Sequence, residues 1–337
     1  MFILTTRTIL VGEVGLSHEG SLGIAMSMAK ACKEAQLDYV KFQFHQPDFE
    51  STVDETFRVN VFPQDLSRYD YWKRTGFNKE AWQQLIKYCN EIGIGFLCTP
   101  FSVWASQQLI NFGIQDVKIS SGDANNWELL EHIKKNYNRV IVSLGMSNRV
   151  EVKKLLDFMQ DYNGELIVLQ CTSSYPTKPD EIGMNYFKEL KNITSNVGIS
   201  DHSGTPFTAI AAIASEASLV EFHVVYSKLQ FGPDTSSSLT FTEALQVSQF
   251  RNYWLELFNS DYDKDKISGN LEELRRKFGR GLTLKKDLKK GEVLLAENLT
   301  LKKPQGPLRW EDRFKLIGKK TTRKIDANEH LNLSDLE

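Results

Sequence analysis

Two histidines, each near the end of a short apolar run, are the first residues with chemical promise. Gly198-Ile-Ser-Asp-His-Ser-Gly204 and Val220-Glu-Phe-His-Val-Val225 flank the Ala- and Ile-rich stretch from Thr205 to Ser218. Strand, helix, strand would set His202 and His223 side by side at one rim of a parallel sheet. Two imidazoles there can hold a divalent metal and leave positions open for substrate and water. The plainer alternative is one histidine capping a helix and one satisfied in the core.

Other apolar runs also end on polar residues: Glu13, Lys41 with Gln43, Thr99, Lys118 with Ser120 and Ser121, Ser143, Thr172 with Ser173, Ser200, and Glu221. One lysine in such a run is explained by a stem lying along apolar surface with its head in water. Two lysines among several hydroxyls suit a phosphate or carboxylate instead. The set describes an anion site beside a metal, with one acid, Glu13, on the opposite side.

These residues need elements to position them. Strands are expected at Thr8–Val14, Asp38–Gln43, Gly93–Thr99, Asp116–Ser120, Arg139–Ser143 and Glu165–Gln170, ahead of the two histidine segments. Helical stretches alternate with them, at Leu22–Ala35, Glu80–Ile92, Val103–Phe112, Trp127–Lys135, Val150–Gln160 and Asn185–Lys191, and a last one covers Thr242–Leu257. Near-continuous apolar strands in repeated βα units predict an α/β protein whose parallel sheet is covered on both faces. Eight such units favour a closed (β/α)8 TIM barrel of roughly 250 residues over an open sheet. No Gly-x-Gly-x-x-Gly follows the first strand, which counts against a dinucleotide fold. A long irregular insertion carrying Arg58, Tyr69, Tyr71, Trp72 and Arg74 runs from the second strand to about Asn78.

The 337 residues exceed one barrel, so a smaller second domain is expected: barrel 1–258, polar linker 259–279, and short β runs over 280–337. That tail is too small to build much core by itself. Charge is nearly balanced, 41 Lys+Arg against 43 Asp+Glu, and suggests no nucleic-acid partner. No apolar run would span a bilayer, and Met1 to Arg7 lack a signal-peptide layout. Cys32, Cys89, Cys98 and Cys171 have no disulfide or metal spacing, and Cys98 and Cys171 read as small buried hydrophobes. A soluble, cytoplasmic protein is expected.

Val11-Gly-Glu-Val-Gly with Ser17-His-Glu-Gly20 resembles the first-strand motif of the sialic acid (N-acetylneuraminate) synthase family. Val40-Lys-Phe-Gln43, Cys98-Thr-Pro-Phe101, Val117-Lys-Ile-Ser-Ser-Gly122, Ser143-Leu-Gly-Met146, Gln170-Cys-Thr-Ser-Ser-Tyr-Pro176, Ile199-Ser-Asp-His202 and Phe231-Gly-Pro-Asp234 follow in that family's order. The tail, with Gly279-Arg-Gly-Leu and Asp287-Leu-Lys-Lys-Gly-Glu-Val-Leu294, is similar to its antifreeze-like (SAF) domain.

The resemblance implies condensation of phosphoenolpyruvate with an N-acyl hexosamine, giving a nine-carbon 2-keto-3-deoxy acid and phosphate. It places Lys41, Thr99, Lys118, Ser121, Ser143, Ser173 and Ser200 at phosphoenolpyruvate. His202 and His223 would take the metal, Mn2+ in preference to Mg2+ or Co2+. Gln43, Asp123, Tyr175 and Asp234 would face the sugar, with Glu13 or Asp234 handling protons. Arg280 would reach the sugar acyl group of a neighbour across a domain-swapped homodimer.

Some positions depart from the family pattern. Asp123 stands where Glu is usual, Thr235 where His is usual, and Ser17 and Glu19 where Asn is usual. The acceptor is therefore left open between N-acetylmannosamine and legionaminic- or pseudaminic-type precursors. Alternative readings are a 3-deoxy-ulosonate phosphate synthase, a Schiff-base aldolase using Lys41 or Lys118, and a non-catalytic saccharide-binding barrel.

Overall fold

The computed structural model describes residues 7–59, 64–266 and 268–337. Met1 to Thr6, read above for a leader pattern, part of the insertion and Ile267 lie outside them. The chain forms two compact units, Met1–Ser260 and Asp261–Glu337.

Eight parallel strands build the first unit: β1 (Ile9–Gly15), β2 (Tyr39–Phe44), β3 (Gly95–Pro100), β4 (Asp116–Ile119), β5 (Arg139–Ser143), β6 (Glu165–Cys171), β7 (Val197–Asp201) and β8 (Leu219–Val225). They pair in the order β3-β2-β1-β8-β7-β6-β5-β4. The β1–β8 pair turns the sheet back on itself into the expected barrel, nearly closed, with β3 and β4 flanking the seam.

The period of two along each strand decides what enters the barrel. Val11, Leu97, Ile141, Ile167, Leu169 and Leu219 form the apolar interior plug. Two positions further along, the same faces carry Glu13, Thr99, Ser143, Cys171 and Glu221, so the interior turns polar towards the C-terminal mouth. Residues of opposite parity, such as Leu10, Val40, Phe42 and Phe222, pack outward under the helices.

Helix Lys79–Ile92 shows how that cover is specified. The Asn78 side chain accepts from Ala81 N, Gly93 ends the helix at φ 69°, and Trp82, Leu85, Ile86 and Cys89 are buried. Burying each such side chain is worth about 1.5–3 kcal/mol.

Two expectations change. The insertion after β2 is not irregular throughout. It holds short helices at Pro47–Glu50 and Arg68–Thr75, because Ser67 caps the second and Tyr71 and Trp72 find buried places. The segment expected to be a linker carries helix Gly269–Phe278, started by the Ser268 cap and exposed along its length.

In the second unit Gly281–Leu284 pairs antiparallel with Leu299–Lys302. Its core is larger than the sequence suggests: Leu282, Leu284, Leu288, Leu294, Leu299, Leu308, Leu316, Ile325, Leu331 and Leu336 are all buried. Nine leucines and Ile325, spread between positions 282 and 336, supply it without any long apolar run.

Candidate active site

The barrel mouth opens on a cavity of about 460 Å³. At its floor stand two lysines and two carboxylates, each side chain at most 6% exposed. Lys41 Nζ lies 2.8 Å from Glu13 Oε2 and 3.5 Å from Glu221 Oε1, and donates to Thr99 Oγ1 at 3.2 Å. Lys118 Nζ lies 3.8 Å from Glu221 Oε1 and donates to Ser143 Oγ at 2.7 Å and to the Ile119 carbonyl at 3.1 Å.

The two lysines are tuned apart. Burial works against the charge of Lys41, but the adjacent Glu13 and Glu221 carboxylates more than offset it and raise its pKa. Among the described residues Lys118 has only Glu221 at ion-pair distance, and burial pulls its pKa down. Burial also opposes ionisation of Glu221, yet Lys118 and Lys41 hold its pKa below the usual value.

Beside them is a cradle of small groups. The backbone N–H of Gly145 donates to Ser121 Oγ at 3.0 Å. A Cβ on Gly145 would come within 2.6 Å of Ser173 Oγ, 2.8 Å of Ser121 Oγ and 2.9 Å of Cys171 Sγ. Only glycine leaves that space clear. Ser200, in register with both Cys171 and Glu221, completes this wall of the cavity.

His202 and His223 do come together, with ring centroids 5.5 Å apart. His202 follows the end of β7, whereas His223 lies inside β8 and reaches the mouth because its parity points inward. The His202 Nδ1–H donates to the Thr172 carbonyl at 3.0 Å, which presents Nε2 as the ligand atom. Burial, and then the neighbouring His223, lower the His202 pKa to about 4, so the ring is neutral. A neutral imidazole with a fixed tautomer fits a divalent metal. Among the described residues no group of three His, Cys, Asp or Glu has metal-binding spacing, so the protein would supply two donors.

Tyr175 covers the pair, stacked on His202 at 4.1 Å and edge-on to His223 at 6.1 Å. Arg58, from the insertion, lies 3.9 Å over the Tyr175 ring and donates to Asp234 Oδ1 at 2.6 Å. On the other rim Asp123 accepts from Ser120 Oγ at 2.6 Å and Asn126 Nδ2 at 3.1 Å, while burial raises its pKa.

One placement read from the sequence is wrong. Glu13 does not face the imidazoles from across the mouth. Closure of the barrel makes Glu13 the register partner of His223, and its carboxylate turns to Lys41.

The remaining sites divide plainly. Lys41, Gln43, Thr99, Lys118, Ser121, Asp123, Ser143, Ser173, Tyr175, Ser200 and Asp234 all line this cavity with Glu13 and the histidines. Arg280 belongs to the second unit and donates to the Leu301 carbonyl at 3.2 Å. Sequence reasoning gave no site role to His45, Glu50, Gly145 or Cys171, all at the mouth or beside it, and counted Glu221 among the strand-end polar residues without a role of its own. For Glu221 the signal was present, two residues before His223 on the same strand face. Cys171 is buried as expected, but its sulfur lies 3.8 Å from His202 Nδ1.

The NeuB family profile matches residues 28–260 and the SAF domain profile matches residues 279–337. The chain is 28% identical over 331 residues to N,N'-diacetyllegionaminic acid synthase of Campylobacter jejuni, covering 96% of this chain and 98% of that one. It is 29% identical to a pseudaminic acid synthase of Campylobacter jejuni, with 98% and 96% covered. To N-acetylneuraminate-9-phosphate synthase of Homo sapiens it is 25% identical, with 95% and 90% covered. The crystal structure of N-acetylneuraminic acid synthetase from Leptospira borgpetersenii, in complex with citrate, shares the fold. It matches with a TM-score of 0.68 at 24% identity, over 80% of this chain and 90% of that one. The chain belongs to the NeuB family, with a SAF domain at residues 279–337.

Proposed function

We propose that the protein joins phosphoenolpyruvate to an N-acylated amino hexose, forming a nine-carbon 2-keto-3-deoxy sugar acid and releasing phosphate. The observation that carries this reading is the grouping of two buried lysines, a glycine-and-hydroxyl cradle and two adjacent imidazoles in one mouth.

In this reading Lys41 and Lys118, with Thr99, Ser121, Ser143, Ser173 and Ser200, hold phosphoenolpyruvate. His202 and His223 would hold the metal, Mn2+ by preference, and a bound divalent ion supplies Lewis acidity toward the sugar carbonyl. The chain's own groups do the rest. Gln43, Asp123, Tyr175 and Asp234 orient the sugar so that its aldehyde carbon meets C3 of phosphoenolpyruvate. A carbon–carbon bond forms there and water adds at C2. The C2–O bond to phosphate then breaks. Glu13, fixed between Lys41 and Gln43, exchanges the proton between the added water and the new sugar hydroxyl.

We further propose that Arg280 serves the sugar acyl group of a second copy in a homodimer. Co-expressed Arg280→Ala and His202→Ala chains would then regain activity in mixed dimers, and verified mixed dimers that stay inactive would refute it.

The test of the reaction is phosphate release from phosphoenolpyruvate with N-acetylmannosamine and legionaminic- and pseudaminic-type precursors, each supplied with Mn2+. Release with one of these and not with pentose or tetrose phosphates is expected. The opposite pattern would replace this reading with an ulosonate phosphate synthase.

A further inference from the structure

His45 follows β2 and has no part in the reaction as proposed, yet it is only 5% exposed and its ring is engaged on every side. It lies between Trp72 (centroids 4.6 Å apart, planes at 11°) and Phe101 (4.1 Å, 13°). Its Nδ1 is 2.7 Å from Glu50 Oε1, and its Nε2 is 3.0 Å from Gln43 Oε1. Gln43 donates onward through Nε2 to Glu13 Oε1 at 2.7 Å.

The ends of this chain of bonds fix the direction of each. The Glu50 carboxylate only accepts, so His45 Nδ1 carries a hydrogen. The Glu13 carboxylate is ion-paired with Lys41 and also accepts, so the Gln43 amide nitrogen turns toward it. The amide oxygen of Gln43 then faces His45 Nε2, which must donate as well. The ring lies between two aromatic faces and against Glu50, whose side chain is 3% exposed. Beyond Glu50, the charged and titratable groups around the ring among the described residues include His18, Asp123 and Arg68, which lies 4.6 Å over the Trp72 ring.

We infer that His45 and Glu50 are positioning residues. They lock the Gln43 amide with its NH2 toward Glu13, and so hold the Glu13 carboxylate where the condensation uses it. This rests on the role given to Glu13 above. Without a donor at Nε2 the amide can turn over, which sets its oxygen against a Glu13 oxygen and displaces the carboxylate.

Two measurements on the full-length protein test it. The first needs no turnover: nitrogen-15 NMR of histidine-labelled protein at neutral pH, with the His45 signals identified by their loss in His45→Gln. Hydrogen on both ring nitrogens is the expected result, and one bare ring nitrogen overturns the inference. The second is a kinetic cycle. His45→Gln and the milder Glu50→Gln are expected to lower kcat by about ten- to hundredfold, the scale of a small misplacement at a reacting centre. KM for phosphoenolpyruvate should change little. In a Glu13→Gln background the same substitutions should cost nothing more, because the group they position is gone. Equal losses in both backgrounds would mark a purely structural role and overturn the inference. If the unmodified protein released no phosphate with any amino sugar, the reaction proposed above would fail, and the nitrogen-15 measurement would still decide this one.

Discussion

Lys118 and Glu221 form a buried ion pair, 3.8 Å apart across the barrel interior, and Glu221 reaches Lys41 from the same oxygen at 3.5 Å. Glu221 thus shares one carboxylate oxygen between the two lysines. A Lys118→Ala variant should lose a charge-assisted hydrogen bond worth about 1.5–3 kcal/mol. That is a roughly ten- to hundredfold weaker affinity for phosphoenolpyruvate, read by calorimetry. Unchanged affinity would remove Lys118 from the anion site.

Gly145 offers a test that removes no polar group. Its missing Cβ would collide with the hydroxyls of Ser121 and Ser173 at under 3 Å. Gly145→Ala should fill the cradle, leaving the barrel folded by circular dichroism while phosphoenolpyruvate binding falls by at least about tenfold. Binding that survives at full strength would place the phosphate elsewhere in the mouth.

Removal of metal gives the third expectation. Chelation should abolish phosphate release and Mn2+ should restore it. In His202→Asn with His223→Asn, Mn2+ should restore nothing, although phosphoenolpyruvate still binds. Full activity in the folded double variant would take the metal away from this pair.

The fourth concerns stability rather than turnover. His18 is 1% exposed, stacked on Phe77 at 4.6 Å, and its Nδ1 accepts from Gly20 N at 3.1 Å. Burial, and then the charge of His45, lower its pKa from 6.5 to about 3. The folded value lies below the unfolded one, so between these limits the unfolded chain binds the extra proton. The contribution is complete above pH 6.5 and is lost as pH falls toward 3. Denaturant unfolding followed by tryptophan fluorescence should show stability dropping by up to about 1.4 kcal/mol per pH unit from this group. His18→Asn should flatten that slope, and an unaltered slope would assign it to other groups.

Much of this mouth was legible in the sequence because a parallel barrel turns strand parity into geography. Once Val11, Leu97 and Ile141 are read as interior, Glu13, Thr99 and Ser143 two residues later must point into the same channel. Parity alone does not say which strands are neighbours; closure of the expected eight-stranded barrel sets β1 beside β8 and so places Glu13 next to His223, not opposite it. Nor does parity reach beyond strand ends. His45 and Glu50 find each other through a four-residue helix inside an insertion whose pattern is aromatic rather than periodic. The Gly145 cradle was hidden for a different reason: its function is an absence of atoms, and in a sequence it is one glycine among 21.

The pairing of β1 with β8 also sets an order of events during synthesis. Glu13 leaves the ribosome early and His223 late, with almost the whole first unit between them in the chain. At 5–20 residues per second the first strand must wait on the order of ten seconds or more for its partner to emerge. Until then β1 has an open edge, and the half-built mouth has Glu13, both lysines and His202 but lacks Glu221 and His223. The imidazole pair and the Glu221 link between the two lysines therefore form only when β8 arrives and the barrel is complete.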